Sequence, residues 1–175
     1  IPFFWLANMD RNTIRKNGKD LSMWIYDKYI TKCTTKTIDL DIIYNKIVEL
    51  SSEFNIISVQ YDPFNTPVLI SRLKEIGLNC EAFKQNASNF NSSMKFLESM
   101  LYATKLKFNS PVLTYHFSNV VLYVDQNANI KIIKNRQGDS VDGVVSLAMA
   151  IGGWIKYKYG EEVIGLQNYL SSMRS

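Results

Sequence analysis

Histidine is nearly absent from this chain, with His116 its single imidazole among 175 residues. The two cysteines, Cys33 and Cys80, lie far apart with no metal-ligand spacing, so a zinc site built from His and Cys is disfavoured. They suit a reducing compartment and read as free, buried thiols. One histidine without a paired Ser and Asp gives no support to a nucleophilic triad. No apolar run reaches the roughly 20 residues that cross a bilayer, and the longest is interrupted at Gly152-Gly153. A Gly-x-x-x-x-Gly-Lys-Ser/Thr phosphate loop is missing, as are internal repeats and low-complexity linkers. The chain opens on Ile1-Pro2-Phe3-Phe4-Trp5-Leu6, with neither an initiator Met nor a signal pattern. The expectation is a piece whose first strand or strands lie outside it.

Hydrophobic residues make up 46% and charged residues 21%, the balance of an ordinary globular protein. The length suits one domain, residues 1–175, with a real core. A net charge of +4 permits a polyanionic partner without demanding one.

Periodicity then predicts the elements. Ile1–Leu6 reads as an aromatic strand and Asn8–Lys19 as a polar loop. A helix is expected over Asp20–Tyr29 with Asp20 as N-cap, then a short edge strand within Ile30–Thr37. From Asp39 or Asp41 a helix carries Ile42, Ile43, Ile47, Leu50 and Phe54 on its apolar face. Ile56–Tyr61 reads as a buried parallel strand, followed by a helix through Leu69, Leu73 and Ile76 that ends at Gly77. Cys80–Phe83 is the next strand, and Lys84–Ser93 a loop. Helices are expected over Met94–Lys105 and from Ser110, which would cap a Pro111 start. Val120–Asp125 and Ile130–Ile133 form a hairpin. Alternating strands and helices with one hairpin imply an α/β domain with a mixed sheet.

The last helix opens at Asp142, and Val144, Leu147, Ala148 and Ile151 recur there at core-facing spacing. Val145, Met149 and Ala150 are apolar on the other side, so the helix is expected to be covered on both faces. Asp142 reads as an N-cap or as a rigidly held metal or proton-handling carboxylate. Asp62 ends a buried strand, where ligands gather in open α/β sheets, although Asp before Pro also starts turns. Two fixed carboxylates can share divalent ions, roughly 3.5–4 Å apart, that clamp a phosphodiester.

The runs Tyr61-Asp62-Pro63-Phe64-Asn65, Phe83-Lys84-Gln85, Met94-Lys95 with Leu97-Glu98, and Asn109-Ser110-Pro111-Val112-Leu113 come in a telling order. Ser118-Asn119-Val120-Val121, Asn129-Ile130-Lys131 and Val141–Ala150 follow. This succession resembles the nuclease domain of tailed-phage terminase large subunits, and it spans nearly the whole chain. The resemblance implies an RNase H-like mixed sheet flanked by helices. It also implies an endonuclease that cuts concatemeric viral DNA using two Mg²⁺ or Mn²⁺ ions. Asp62 and Asp142 would be its catalytic, metal-binding acids. Double-stranded DNA, a terminase small subunit and a capsid portal would be partners, in the cytoplasm of an infected or lysogenic bacterial host and away from membranes. The family pattern has another essential Asp on a first, central strand before the Phe-Trp stretch. It also has an ATPase motor. Neither has a counterpart here, so full nuclease activity is not expected of this chain as it stands.

Lys84, Lys95, Lys134 and Arg136 are candidates for DNA phosphate contacts, with Lys131 beside them. Asp139 could join the site or sit in a turn, and Asn65 could orient Asp62 or cap. His116 reads as packed or hydrogen-bonded. Two other functions remain open: a resolvase- or transposase-type nuclease, and a noncatalytic module that docks DNA or a portal.

Overall fold

Strands and helices alternate much as the periodicity implies in a computed structural model that describes residues 1–8, 15–16, 19–64 and 67–172. Strand β1 (Trp5–Leu6) pairs in parallel with β4 (Thr31–Lys32), and β2 (Arg15–Lys16) pairs antiparallel with β3 (Lys19–Asp20). Helix α1 (Ser22–Tyr26) lies between them, and α2 (Leu40–Glu53) follows. Strands β5 (Val59–Tyr61) and β6 (Cys80–Ala82) are parallel, joined through α3 (Pro67–Glu75). Then come α4 (Ala87–Tyr102), α5 (Pro111–Ser118), the antiparallel hairpin β7 (Val120–Val124) and β8 (Ile130–Lys134), and the long α6 (Asp142–Ser172). The result is an α/β fold of small parallel and antiparallel sheets flanked by helices.

One expected mixed sheet is, among the described residues, four two-stranded sheets. Among the described residues, both β1 and β5 are hydrogen-bonded along one edge only. The other departures are local. The first strand narrows to Trp5–Leu6. Helix α1 stops early because Lys28 adopts a left-handed φ of 62°. Leu21, not Asp20, holds its N-cap position, while Asp20 accepts the Ser22 N–H at 2.9 Å. Helix α4 begins at Ala87, inside the Asn- and Ser-rich stretch that reads as loop. Asn86 caps it by accepting the Asn89 N–H, and Phe90 and Ser93 become buried. Capping and burial thus override weak helix propensity. Gly77 (φ 86°) ends α3 as expected.

The main core lies where α4, α6 and β8 meet: Phe90, Leu97, Val144 and Ala148 are almost fully buried around Phe83, Met94 and Ile132. Burying a side chain such as Leu97 or Phe90 contributes roughly 1.5–3 kcal/mol of transfer free energy. Gly152 allows the close approach. A Cβ there would stand 2.7 Å from the Phe83 ring and 2.8 Å from Ser93 Oγ. A second cluster joins Leu69, Leu73 and Cys80 to Ile43, Tyr44 and Ile47 of α2. Phe54, predicted on that face, is 54% exposed. Among the described residues no helix is long and apolar enough to cross a membrane.

Candidate active site

Asp62 follows the last residue of β5 and is half-buried. Its Oδ1 accepts the Phe64 N–H at 3.0 Å, closing the turn that an Asp-Pro pair favours. Its Oδ2 accepts a hydrogen bond from the Gln85 side-chain amide. Gln85 reaches it because β6 runs beside β5 in parallel, with Tyr61 opposite Ala82. Asn65, expected to orient Asp62, lies outside the described residues.

Asp142 is the first residue of α6 and is exposed. It does not act as the N-cap. Val141 stands before the helix, and its carbonyl accepts the N–H groups of Val144 and Val145 at 2.9 and 3.0 Å. The Gly143 N–H, one of the first-turn donors that a helix leaves unpaired, goes to Nδ1 of His116 at 2.9 Å. That acceptor role requires the ring proton on Nε2. His116 is buried on α5, with the Phe4 ring edge-on to it at 5.1 Å. Two residues before Asp142, the Ser140 carbonyl accepts from the buried Asn119 side chain at 3.1 Å. Both anchoring side chains come from one short unit, since Asn119 is the C-cap of α5. Local sequence could not reveal these partners. His116 was expected to pack or hydrogen-bond, and it does both, but with a helix start 27 positions away.

The two carboxylates lie toward the same end of one layer. Lys156 binds Glu81 at 2.8 Å, whereas Phe83, further along the chain, packs against Gly152, so β6 and its partner β5 run antiparallel to α6. A Cβ at Gly153 would meet the Gln60 side chain at 2.7 Å, which fixes the level of β5 on the helix. From Gly153 back to Asp142 is roughly 16 Å of helix. From Gln60 on to Asp62 is roughly 7 Å of strand. A cavity of about 570 Å³ opens beside Asp142, lined by Phe3, Trp5, Lys107, Ser146 and Ala150 among others. A smaller one of about 200 Å³, bordered by Ile57, Ser58, Gly153 and again Ala150, lies on the β5 side. One face of α6 therefore floors the space between the β1 segment and the β5 segment.

Of the basic candidates, Lys84 is exposed beside Gln85, at the Asp62 end of the strand pair. Lys134 and Arg136 are exposed at the end of β8 and in the turn that leads toward Asp142. In that turn Asp139 is buried and its Oδ2 accepts the Arg136 N–H at 2.9 Å, so it serves the turn. Lys95 stands on the exposed side of α4, and Lys131 is exposed on β8. Lys107, which the motifs did not single out, shares the larger cavity with Asp142. Lys156, hydrogen-bonded to Glu81, holds that carboxyl below the ordinary range with help from the Gln60 amide. Among the described residues no three His, Cys, Asp or Glu side chains gather in a metal-holding group.

The fold and motifs have matching relatives. Residues 1–157 match the family model described as terminase large subunit, endonuclease domain. The large terminase subunit of Enterobacteria phage HK97 is 23% identical over 155 residues, covering 86% of this chain and 31% of that protein. Protein YmfN of Escherichia coli (strain K12) is 25% identical over 165 residues, covering 90% of this chain and 35% of its own length. The crystal structure of the HK97 large terminase superposes with a TM-score of 0.76 at 22% identity, over 87% of this chain and 33% of that one. The chain thus spans about a third of the length of these relatives. With nine-tenths of its residues inside the match, it belongs to the terminase large subunit endonuclease domain family.

Proposed function

We propose that residues 1–175 form one RNase H-like domain that contributes two acids to the metal-dependent endonuclease site of a phage DNA-packaging terminase, and that the chain as it stands lacks full nuclease activity. Asp62 and Asp142 are its catalytic acids and metal ligands. The reading rests on two separately anchored acids, Asp62 after the end of β5 and Asp142 at the start of α6, in a chain of this family. The donor set suits Mg²⁺ or Mn²⁺. Both ligands are carboxylate oxygens, Asp142 is exposed, and Mg²⁺ sites commonly use one or two carboxylates plus waters and substrate phosphates. Two such ions, when bound, supply an activated water and stabilise the leaving oxygen of the phosphodiester.

The protein's own part is to fix those acids and to hold the duplex. Lys84 beside Asp62, and Lys134 and Arg136 beside the Asp142 loop, contact phosphates, with Lys95 further out; such contacts position DNA without reading its sequence. The family pattern that this chain resembles has a further acid on a first, central strand, and the proposed site takes that acid as its third. Its substrate is concatemeric viral DNA, its partners are a terminase small subunit and the capsid portal, and its setting is the cytoplasm of the bacterial host.

A second reading is a docking module without catalysis; among the described residues no three His, Cys, Asp or Glu side chains gather. Calorimetric Mn²⁺ titration separates the two. Binding at two sites that is lost in Asp62→Asn supports the nuclease. Salt-dependent DNA binding that is indifferent to Mn²⁺, with no metal heat, supports the docking module.

A further inference from the structure

The start of α6 is gripped from outside at two points that bracket Asp142. The Ser140 carbonyl is held by Asn119, and the Gly143 N–H by His116. Both gripping side chains are buried, and both stand at the C-terminal end of α5, three positions apart. Helix starts are usually satisfied by an Asp, Ser, Thr or Asn at the N-cap itself. Here the N-cap position holds Val141, which has no side-chain acceptor. The imidazole takes over that task and leaves the Asp142 carboxylate out of it. Gly143 fits the same design. A Cβ there would stand 2.8 Å from His116 Nδ1, 2.9 Å from the Phe4 ring and 3.0 Å from Leu113, so any larger residue would push the imidazole off the N–H.

We infer that His116 and Asn119 are positioning residues that aim the Asp142 carboxylate at the metal, by clamping the backbone on either side of it. This inference rests on the reading of Asp142 as a metal ligand. The clamp restricts where the Asp142 Cα can go, while the carboxylate keeps both oxygens for other partners. Groups that orient a metal ligand without touching the ion typically alter affinity by about 10–100-fold when removed. A clamp serving stability alone would alter melting and leave affinity unchanged.

The test is an NMR titration of the chain with Mn²⁺ alone, following paramagnetic broadening of the Gly143 and Phe64 amides. It compares the natural protein with Asp142→Asn, His116→Leu, His116→Asn and Asn119→Ala, each with its thermal midpoint. Leucine keeps the bulk but removes the acceptor. Asparagine restores an acceptor near the place of Nδ1. The expected result is a broadening midpoint raised about tenfold or more in His116→Leu and Asn119→Ala, with His116→Asn within about threefold of the natural chain. A natural-sequence midpoint in both His116→Leu and Asn119→Ala, whatever their melting temperatures, overturns the clamp while Asp142 remains a ligand. If Asp142→Asn itself leaves the midpoint unmoved, the ligand reading fails and the clamp falls with it; that arm tells the two failures apart. Should His116→Leu not fold, Asn119→Ala carries the comparison with the imidazole in place. In the natural chain, a coupling between the Gly143 nitrogen and His116 Nδ1 across the hydrogen bond is expected, and its absence also counts against the clamp.

Discussion

At Asp62 the carboxylate itself is fastened: one oxygen closes its own turn and the other takes the Gln85 amide. At Asp142 the backbone is fastened, by His116 and Asn119 on either side, and the carboxylate projects from an exposed position. The two acids are thus made rigid in different currencies. The Asp62 arrangement is assembled from neighbours in sequence and in the adjacent strand. The Asp142 arrangement needs α5 to be packed before it exists. A carboxylate that spends its lone pairs on the protein is restrained directly, while one whose main chain is held keeps them for a ligand.

That contrast can be broken in order of expected effect. Leu113 is buried and forms the wall behind Gly143. Leu113→Ala is expected to cost about 2–5 kcal/mol of stability, read by urea unfolding, and to loosen the Asp142 end selectively in hydrogen exchange. Gly143→Ala forces a methyl group against His116 and Phe4 and is expected to cost about 1–3 kcal/mol in the same assay. Gln85→Ala removes the hydrogen bond between the exposed Gln85 and the half-buried Asp62, with an expected loss of roughly 1 kcal/mol or less. A loss from Gln85→Ala as large as that from Leu113→Ala would erase the asymmetry between the two ends.

The smallest effect is on pH dependence. Lys156, then Gln60, hold the Glu81 carboxyl below the ordinary range against the opposing effect of burial. A carboxyl lowered in the folded state contributes stability that is complete above its unfolded value, about pH 4.3, and is lost as pH falls through its folded value. Glu81→Gln is therefore expected to flatten the acid limb of the stability curve slightly below about pH 4.3 and leave neutral-pH behaviour at Asp142 untouched. Thermal unfolding between about pH 3 and 7 checks this against the unfolded glutamate value.

How much was legible follows the same line. The Asp-Pro turn at Asp62, the Ser110 cap with Pro111 at the first helical position, the Gly77 stop and the 120–134 hairpin all rest on short-range chemistry, and the structure has each of them. The start of α4 was missed because Asn and Ser are poor helix formers, and the Asn86 cap together with the burial of Phe90 against distant elements offsets their placement there. The pairing of strands into separate two-stranded sheets is likewise a matter of long-range edges, invisible to periodicity. Asp142 could be identified as a rigid helix start, but not as relieved of capping, since that depends on an imidazole 26 residues earlier in the chain. Family motifs pointed to the acids. The means of holding them became visible only in three dimensions.

The central claim is that Asp62 and Asp142 serve one shared metal site. Mn²⁺ broadening of the Phe64 and Gly143 amides in the same titration tests it most directly, because paramagnetic relaxation reports on both ends at once. The account predicts that both signals broaden with a common midpoint, and that either Asp62→Asn or Asp142→Asn abolishes both. Broadening with two unrelated midpoints, or at one amide only, would contradict it.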